Sequence, residues 1–456
     1  MINFITANPS HAKSVVTAQV RQNFSEGEGI TSFEGFSTLY KDSTSSRHLS
    51  YHHVTLHSLK ERTRYEYRVR VEASLNTSAS QWSDWIDFKT LYSSGETRFA
   101  IYADMGAFAS QFAKPSVPAM SRQHVGNLVD DLAMGKIDFA VHSGDLAYEF
   151  EVYGGARGDG FMDGYSQFLS HAPWVPGWGN HEYLEEDRGN RLANITAGLI
   201  AEKNRLNPRV SRMHYSVDIG LVHILQLDMS PYWCHFSGCI SVDTCGFPDE
   251  WVKNASDTHN PDVRYDFEGY REDMLAYVRA DLEAVNRTQT PWVIVTGHYP
   301  LYETYDDFDA KNMASERSGV DGRARGRGGQ ASSSAPVPSK AQALADFEPL
   351  LREFSVDIFF AGHDHNYETT WPVYNFSVVQ KSYNNPKATV HIVSGSAGPP
   401  EWDAFVAEAP DWSRHPRLQV NSYSRMTVWN GSVLAFEQVA NDNGTVVDSF
   451  AIKKGI

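Results

Sequence analysis

The sequence predicts an α/β domain preceded by a small β-sandwich, and three observations carry the prediction. Residues 1–95 read as short strands separated by turns, in runs that alternate or are rich in β-branched and aromatic residues. From "TRFAIYAD" (97–104) onward, short apolar runs alternate with helix-length amphipathic segments, the signature of an α/β fold. Five of those apolar runs end in a residue able to bind a metal, and in an open α/β sheet ligands bind at the carboxyl ends of strands.

The elements follow in chain order. "SVVTAQV", "HHVTLHSL", "RYEYRVRVEAS" and "WIDFKT" are the leader's strands, and His52, His53 and His57 belong to that strand pattern, so structural roles are expected of them. "SRQHVGNLVDDLAMG", "YREDMLAYVRADLEAV" and "SKAQALADFEPLLREF" are the amphipathic helices of the second part. Residues 311–339 are rich in Gly, Ser, Arg and Pro without a period, and read as a surface loop, either a tolerated insertion or a lid. The last 60 or so residues return to short strands, "SRMTVWN", "SVLAFEQV" and "VVDSFAIKK", expected to complete a sheet edge.

At 456 residues the chain is too long for one compact core, so two or three domains are expected. A formal net charge of -16 argues against nucleic acid or an anionic membrane as the main partner, because binding a phosphate backbone needs clustered Lys and Arg. A small anionic substrate remains compatible where metals supply the local positive charge. No apolar run approaches the length of a membrane span, and "MINFITANPS" lacks the regions of a signal peptide. Taken alone, that suggests cytosol. Against it, N-x-S/T sequons begin at Asn23, Asn76, Asn194, Asn254, Asn286, Asn375, Asn430 and Asn443, where chance predicts roughly three, and the excess points to the secretory route. Cys234, Cys239 and Cys245 lie in one short stretch that suits a single local disulfide with one thiol left over. A zinc site is the weaker reading, for want of CxxC spacing.

The five endings are "FAIYAD" at Asp104, "IDFAVHSGD" at Asp145, "PWVPGWGN" at Asn180, "PWVIVTGH" at His298 and "VDIFFAGH" at His363. With Tyr148 and His365 they make a set of oxygen and nitrogen donors without thiolate, suited to hard or borderline ions such as Fe, Zn or Mn. Seven donors exceed the needs of one tetrahedral ion. They suffice for two ions about 3.5 Å apart sharing one carboxylate, an arrangement used for phosphoester hydrolysis. His142, His171, His214, His223 and His391 lie in or beside strand-like runs without a motif and read as core or surface histidines.

"DMG" (104–106), "GDLAY" (144–148), "GNHE" (179–182), "VTGH" (295–298) and "GHDH" (362–365) stand in the order and approximate spacing of the metallophosphoesterase motif blocks. Tyr148, three residues after Asp145, makes the chain resemble the purple acid phosphatases among them. "HHVTLHSLKERTRYEYRVR" with "WSDWIDFKT" resembles the second half of a fibronectin type III domain. The resemblance implies an α/β metallophosphoesterase sandwich, two β-sheets flanked by helices, behind a fibronectin type III-like β-sandwich. The implied division is 1–95 for the β-domain, 96–400 for the calcineurin-like catalytic domain and 401–456 for a C-terminal β segment completing it. It assigns Asp104, Asp145, Tyr148 and His365 to a ferric ion, and has Asp145 bridge to a divalent ion, Zn, Fe or Mn, held by Asn180, His298 and His363. Tyrosinate-to-iron charge transfer would colour such a protein purple. It implies an acid phosphatase in which a metal-bound hydroxide attacks small phosphate monoesters. His181, beside Asn180, resembles the outer-sphere histidine that touches the substrate phosphate, with Glu182 as a candidate to orient its ring. Homodimers and a secreted, lysosomal or vacuolar location are expected by analogy.

Two departures qualify the resemblance. Plant-type members carry further histidines shortly after the motif at His298, but here none occurs between His298 and His363, which is closer to the animal-like branch. Tyr302, Glu303 or an acid of "DDFD" (306–309) is then the candidate contact for the leaving group. "MINFIT" looks like the second strand of the family's leading β-domain, so a truncated chain, lacking its first strand and signal peptide, is expected. A phosphodiesterase or nucleotide pyrophosphatase on the same metals is the enzymatic alternative. A cell-surface binding protein with a dead catalytic core is the non-enzymatic one, and it predicts loss of donors that are all present here.

Overall fold

The computed structural model describes residues 1–6, 15–22, 29–41, 48–72, 81–106, 120–148, 150–183, 191–197, 214–233, 252–253, 264–265, 267–305, 340–399 and 401–455. The 306–309 acids, the 311–339 segment, the three cysteines and the sequons at Asn23, Asn76 and Asn254 lie outside these residues.

The leader forms strands β1 (Ile2–Thr6), β2 (Val15–Gln22), β3 (Thr31–Lys41), β4 (His48–Val54), β5 (Arg64–Glu72) and β6 (Ile86–Lys89), hydrogen-bonded in the order β1-β4-β3-β2-β5-β6. Strand β3 serves two neighbours in succession. Its first half, Thr31–Gly35, pairs with β2, and its second half, Phe36–Lys41, pairs with β4. The handover is at Gly35, where any Cβ would stand 2.0 Å from the His53 carbonyl oxygen, so only glycine lets the strand cross there. Val16, Ala18 and Val20 alternate inward from β2 onto Ile2, Val54, Tyr65 and Tyr67. Two of the three expected strand histidines are structural, His52 bonded to Thr6 and Ser37 and His53 to Asn3, whereas His57 lies beyond β4 and is exposed.

Behind the leader come β7 (Thr97–Tyr102), α1 (Met120–Ala133), β8 (Phe139–His142), α2 (Ala156–Leu169), β9 (Trp174–Pro176), β10 (Tyr215–Ile219), β11 (Val222–Leu227) and the single turn α3 (Ser230–Trp233). Then follow the short ribbon β12 (Val252–Lys253) and β13 (Arg264–Tyr265), helix α4 (Phe267–Ala284), β14 (Trp292–Gly297), helix α5 (Lys340–Glu353), β15 (Ile358–Ala361) and β16 (Tyr367–Thr370). A second ribbon, β17 (Val373–Tyr374) and β18 (Ser377–Val378), precedes β19 (Val390–Ser394), β20 (Ser413–Leu418), β21 (Ser422–Asn430), β22 (Val433–Ala440) and β23 (Val446–Lys453).

Two sheets result, β23-β22-β21-β7-β8-β9 and β10-β11-β14-β15-β19-β16-β20. Within the first, β7, β8 and β9 are parallel, and β21 closes antiparallel onto β7, so the last strands do extend the sheet. Within the second, β11, β14, β15 and β19 are parallel. Phe99, Ile101, Phe139 and Val141 of the first sheet and Ile224, Ile294, Phe360 and Ile392 of the second form one buried core. Each such side chain contributes roughly 1.5–3 kcal/mol.

Helices cover the outer faces because their apolar residues recur at helical spacing. In α4 the buried residues are Phe267, Tyr270, Met274, Tyr277, Val278 and Leu282, and they pack with Leu344, Phe347 and Leu351 of α5. On the other face, Val125 and Leu128 of α1 and Phe161, Tyr165 and Phe168 of α2 share a cluster with Tyr40, Leu49 and Tyr51 of the leader. The architecture is the expected metallophosphoesterase sandwich, two mixed sheets flanked by helices, with a β-rich leader against one side.

Of the described sequons, Asn286, Asn375, Asn430 and Asn443 are exposed. Asn194 is half-buried and accepts a hydrogen bond from Thr38 of the leader at 2.8 Å.

Candidate metal centre

Each site residue sits just beyond a parallel strand: Asp104 after β7, Asp145 and Tyr148 after β8, Asn180 and His181 after β9, His298 after β14, His363 and His365 after β15. The turns that aim them are strained. Asp104, Asp145, Tyr148 and His363 have φ of 60°, 51°, 54° and 67°, a left-handed backbone costing on the order of 1 kcal/mol each for a residue with a Cβ. Gly179 lets the turn after β9 approach, since a Cβ there would stand 2.1 Å from Asp145 Oδ1.

These contacts draw all eight predicted residues into one cluster. Tyr148 Oη donates to Asp104 Oδ1 at 3.0 Å and lies 2.7 Å from His365 Nε2. His298 Nε2 lies 3.2 Å from Asp145 Oδ2 and 3.9 Å from Asp104 Oδ1. His363 donates its backbone N–H to Asp104 Oδ2 at 2.9 Å, and its Nδ1 lies 3.2 Å from Asn180 Oδ1. The His181 backbone N–H donates to Asp145 Oδ1 at 3.0 Å, and the His181 ring lies against Tyr148 with centroids 4.3 Å apart.

Asp104, Asp145 and His298, all buried, offer ligand atoms within 4.8 Å of one another, a spacing able to hold a metal ion. The donor chemistry fits such an ion. His298 Nδ1 is engaged by the Ser143 carbonyl at 3.0 Å, which leaves the buried Nε2 aimed at the Asp145 and Asp104 carboxylates.

Electrostatics say the same. Burial alone would push His298 down, but Asp145 and Asp104 raise it to about 10, so a proton there supplies the positive charge that a metal would otherwise bring. Burial works against ionised Asp145, and His298 with His181 outweighs it, holding the carboxyl well below its ordinary range. The Tyr148 phenol is pushed far up by burial and by the Asp104 and Asp145 carboxylates, so a strong cation is required before it ionises.

Three sequence expectations change. Glu182 does not orient His181. Its carboxylate accepts the backbone N–H groups of Asp145, Leu146 and Gly179, each at 2.8 Å, and so ties the β8 and β9 turns together. Tyr302 is buried against Trp412, His391 and Phe376 and donates to Glu348, which removes it from any leaving group. Glu303 is buried and ion-paired with Lys340. Sequence reasoning also missed the 401–403 segment: Asp403 Oδ2 and the Glu401 carbonyl both contact His365, and nothing in "PPEWDAF" signals it. The motif-free histidines are core or surface side chains as expected: His142, His214, His223 and His391 are buried, and His171 lies at the surface beside Asp87.

Comparison with known proteins places the chain. Family models match for the purple acid phosphatase N-terminal domain over residues 1–90, the calcineurin-like phosphoesterase over 97–367, and the iron/zinc purple acid phosphatase-like protein C over 388–449. The chain is 27% identical over 412 residues to acid phosphatase type 7 of Mus musculus, covering 88% of this chain and 76% of that protein. It is 26% identical over 424 residues to a protein of Arabidopsis thaliana named "Probable inactive purple acid phosphatase 27", covering 88% and 57%. The fold matches that of purple acid phosphatase PPD1 from yellow lupin (Lupinus luteus) seeds with a TM-score of 0.69 at 19% identity, over 99% of this chain and 71% of that one. The chain therefore belongs to the calcineurin-like phosphoesterases and, within them, to the purple acid phosphatase family.

Proposed function

We propose that the protein is an acid phosphatase that hydrolyses phosphate monoesters at a dinuclear centre of ferric iron and a divalent ion, Zn, Fe or Mn. The observation that supports it most is the set of donor contacts around Asp104 and Asp145. Tyr148 contacts Asp104 and His365, and His363 contacts Asn180 and the ring of His298, whose Nε2 faces Asp145. Phenolate and carboxylate are hard anionic donors suited to a trivalent ion, and imidazole and amide oxygen suit a divalent one. Asp145 would be shared between them.

When bound, such a pair of ions supplies Lewis acidity toward the phosphoryl group and its nucleophile. The chain's own residues do the rest. Asn180 and His181 share one turn, held by Glu182 and by the bond from the His181 N–H to Asp145, so their side chains meet a phosphate with little reorganisation. The His181 side chain keeps 23% exposure, which leaves it reachable by a substrate oxygen. Tyr302 lies in an aromatic cluster and Glu303 is paired with Lys340, the acids of 306–309 lie outside the described residues, and His181 is the predicted phosphate contact at the site.

The name of the Arabidopsis relative makes a catalytically silent protein the second reading. One experiment separates them: kcat/KM of the metal-loaded protein for p-nitrophenyl phosphate and bis-p-nitrophenyl phosphate, from acid to neutral pH. Monoester preference at acid pH is the expected result. Preference for the diester would make it a phosphodiesterase on the same residues, and turnover of neither by protein shown to hold both metals would leave the silent reading.

A further inference from the structure

Residues 401–406 meet the metal-binding turn directly. Asp403 Oδ2 accepts the backbone N–H of His365 at 2.7 Å, and the Glu401 carbonyl oxygen lies 3.1 Å from His365 Nδ1. A carbonyl only accepts, so Nδ1 carries a proton and Nε2 is the ring nitrogen turned toward Tyr148 and Asp104. That nitrogen lies 2.7 Å from Tyr148 Oη and 3.5 Å from Asp104 Oδ1.

The far side of the segment is held just as firmly. Phe405 bridges to Tyr305, and the Val406 N–H donates to the Thr304 carbonyl at 2.8 Å. Arg417 donates to the Val406 carbonyl and to Thr304 Oγ1, both at 3.1 Å, and Gln419 donates to the Asp403 carbonyl at 2.8 Å. Thr304 is fixed in turn by Glu368, which accepts from its backbone N–H and its hydroxyl, both at 2.6 Å. Asp403 thus reaches His365 from a frame anchored in β16, in β20 and in the stretch after β14. A carboxylate set in such a frame has one geometric consequence: it fixes the position of the His365 backbone while the adjacent carbonyl fixes the ring.

We propose that Asp403 is a positioning residue for the ion held by Asp104, Tyr148 and His365, acting as an acceptor for the His365 N–H and not as a contact to substrate. The proposal rests on the reading above of those three residues as ligands. It gives the C-terminal segment a part in the metal site beyond extending the sheet, and it makes the two ions unequal in their dependence on that segment. Outer partners of metal ligands commonly change affinity by about 10–100-fold when removed.

The test is iron and zinc content, together with the visible tyrosinate-to-iron absorption, of full-length wild type, Asp403→Ala and Asp403→Asn after loading with both metals. An amide oxygen still accepts an N–H, so Asp403→Asn should keep both ions and the absorption. Asp403→Ala should weaken the tyrosinate-bound ion about 10–100-fold, fading the absorption while the other ion stays. Metal-free unfolding midpoints of the three proteins control for folding. Retention of both ions and the colour by a folded Asp403→Ala overturns the proposal. Loss of the iron by Asp403→Asn to the same extent as by Asp403→Ala overturns it too, because charge and not acceptance would then be at work. Failure of the ligand reading itself looks different: wild type would bind no coloured iron at all.

Discussion

The least conspicuous residue of "GNHE" is the one that holds the site's two turns together. The fully buried Glu182 carboxyl is pushed up to about 7 by burial and by neighbouring Asp145, yet it accepts three backbone N–H groups from the two turns. An amide in its place would turn an NH2 toward backbone donors and leave at least one of them unsatisfied. Glu182→Gln should therefore lower kcat/KM for p-nitrophenyl phosphate by about 10–100-fold in a folded protein, through Asp145 and Asn180. Unchanged kinetics at full metal content would show that the turns hold their shape without it. The same logic explains why Tyr302 and Glu303 misled the sequence reading. Their residue types suit proton transfer, but one side chain lies in an aromatic cluster and the other is spent on Lys340.

Between elements, the β10–β11 hairpin is clamped to α4 by one imidazole. His223 Nδ1 donates to Asp218 Oδ1 at 2.7 Å and Nε2 donates to Asp281 Oδ2 at 2.8 Å, which requires a proton on both nitrogens. Burial lowers its pKa, but the hydrogen bonds and charges of Asp218 and Asp281 outweigh it and raise it from 6.5 to about 9. The sign follows from linkage. A group whose folded pKa lies above its unfolded value stabilises fully below the unfolded value, near 6.5, and its contribution is lost as pH rises through about 9. His223→Ala should cost about 1–3 kcal/mol in urea unfolding near pH 6 and distinctly less near pH 10. An equal cost at both pH values would refute the charged clamp.

For the whole molecule, the leader is built into the packing of the two-sheet sandwich. Tyr40, Leu49 and Tyr51 share a cluster with α1 and α2, Tyr67 donates to the Ser170 carbonyl at 3.0 Å, and Lys89 pairs with Asp138 at 2.8 Å. Tyr51, 2% exposed, is among the largest side chains so enclosed. Tyr51→Ala should cost about 3–5 kcal/mol and shift one shared unfolding transition. Denaturation followed by tryptophan fluorescence and by far-ultraviolet circular dichroism checks this: coincident curves are expected, and a leader transition separate from that of the sandwich would contradict a shared core.

The sequence by itself determined the strand-and-helix alternation, the β-rich leader and the eight residues, from Asp104 to His365, that the fold gathers into one cluster. They were legible because each motif is a strand and its following turn, a few residues long, ending in side chains of metal-donor type. Tertiary structure alone decided what those residues lean on: Glu182 on two turns, His365 on Asp403, Glu303 on Lys340, His223 on Asp281. All four contacts reach tens of residues along the chain, Glu182 bonding Asp145 of the β8 turn while it also closes its own turn at Gly179. Periodicity and residue type report only what is near in sequence, so such contacts exist only once the two sheets have packed and their carboxyl ends have met.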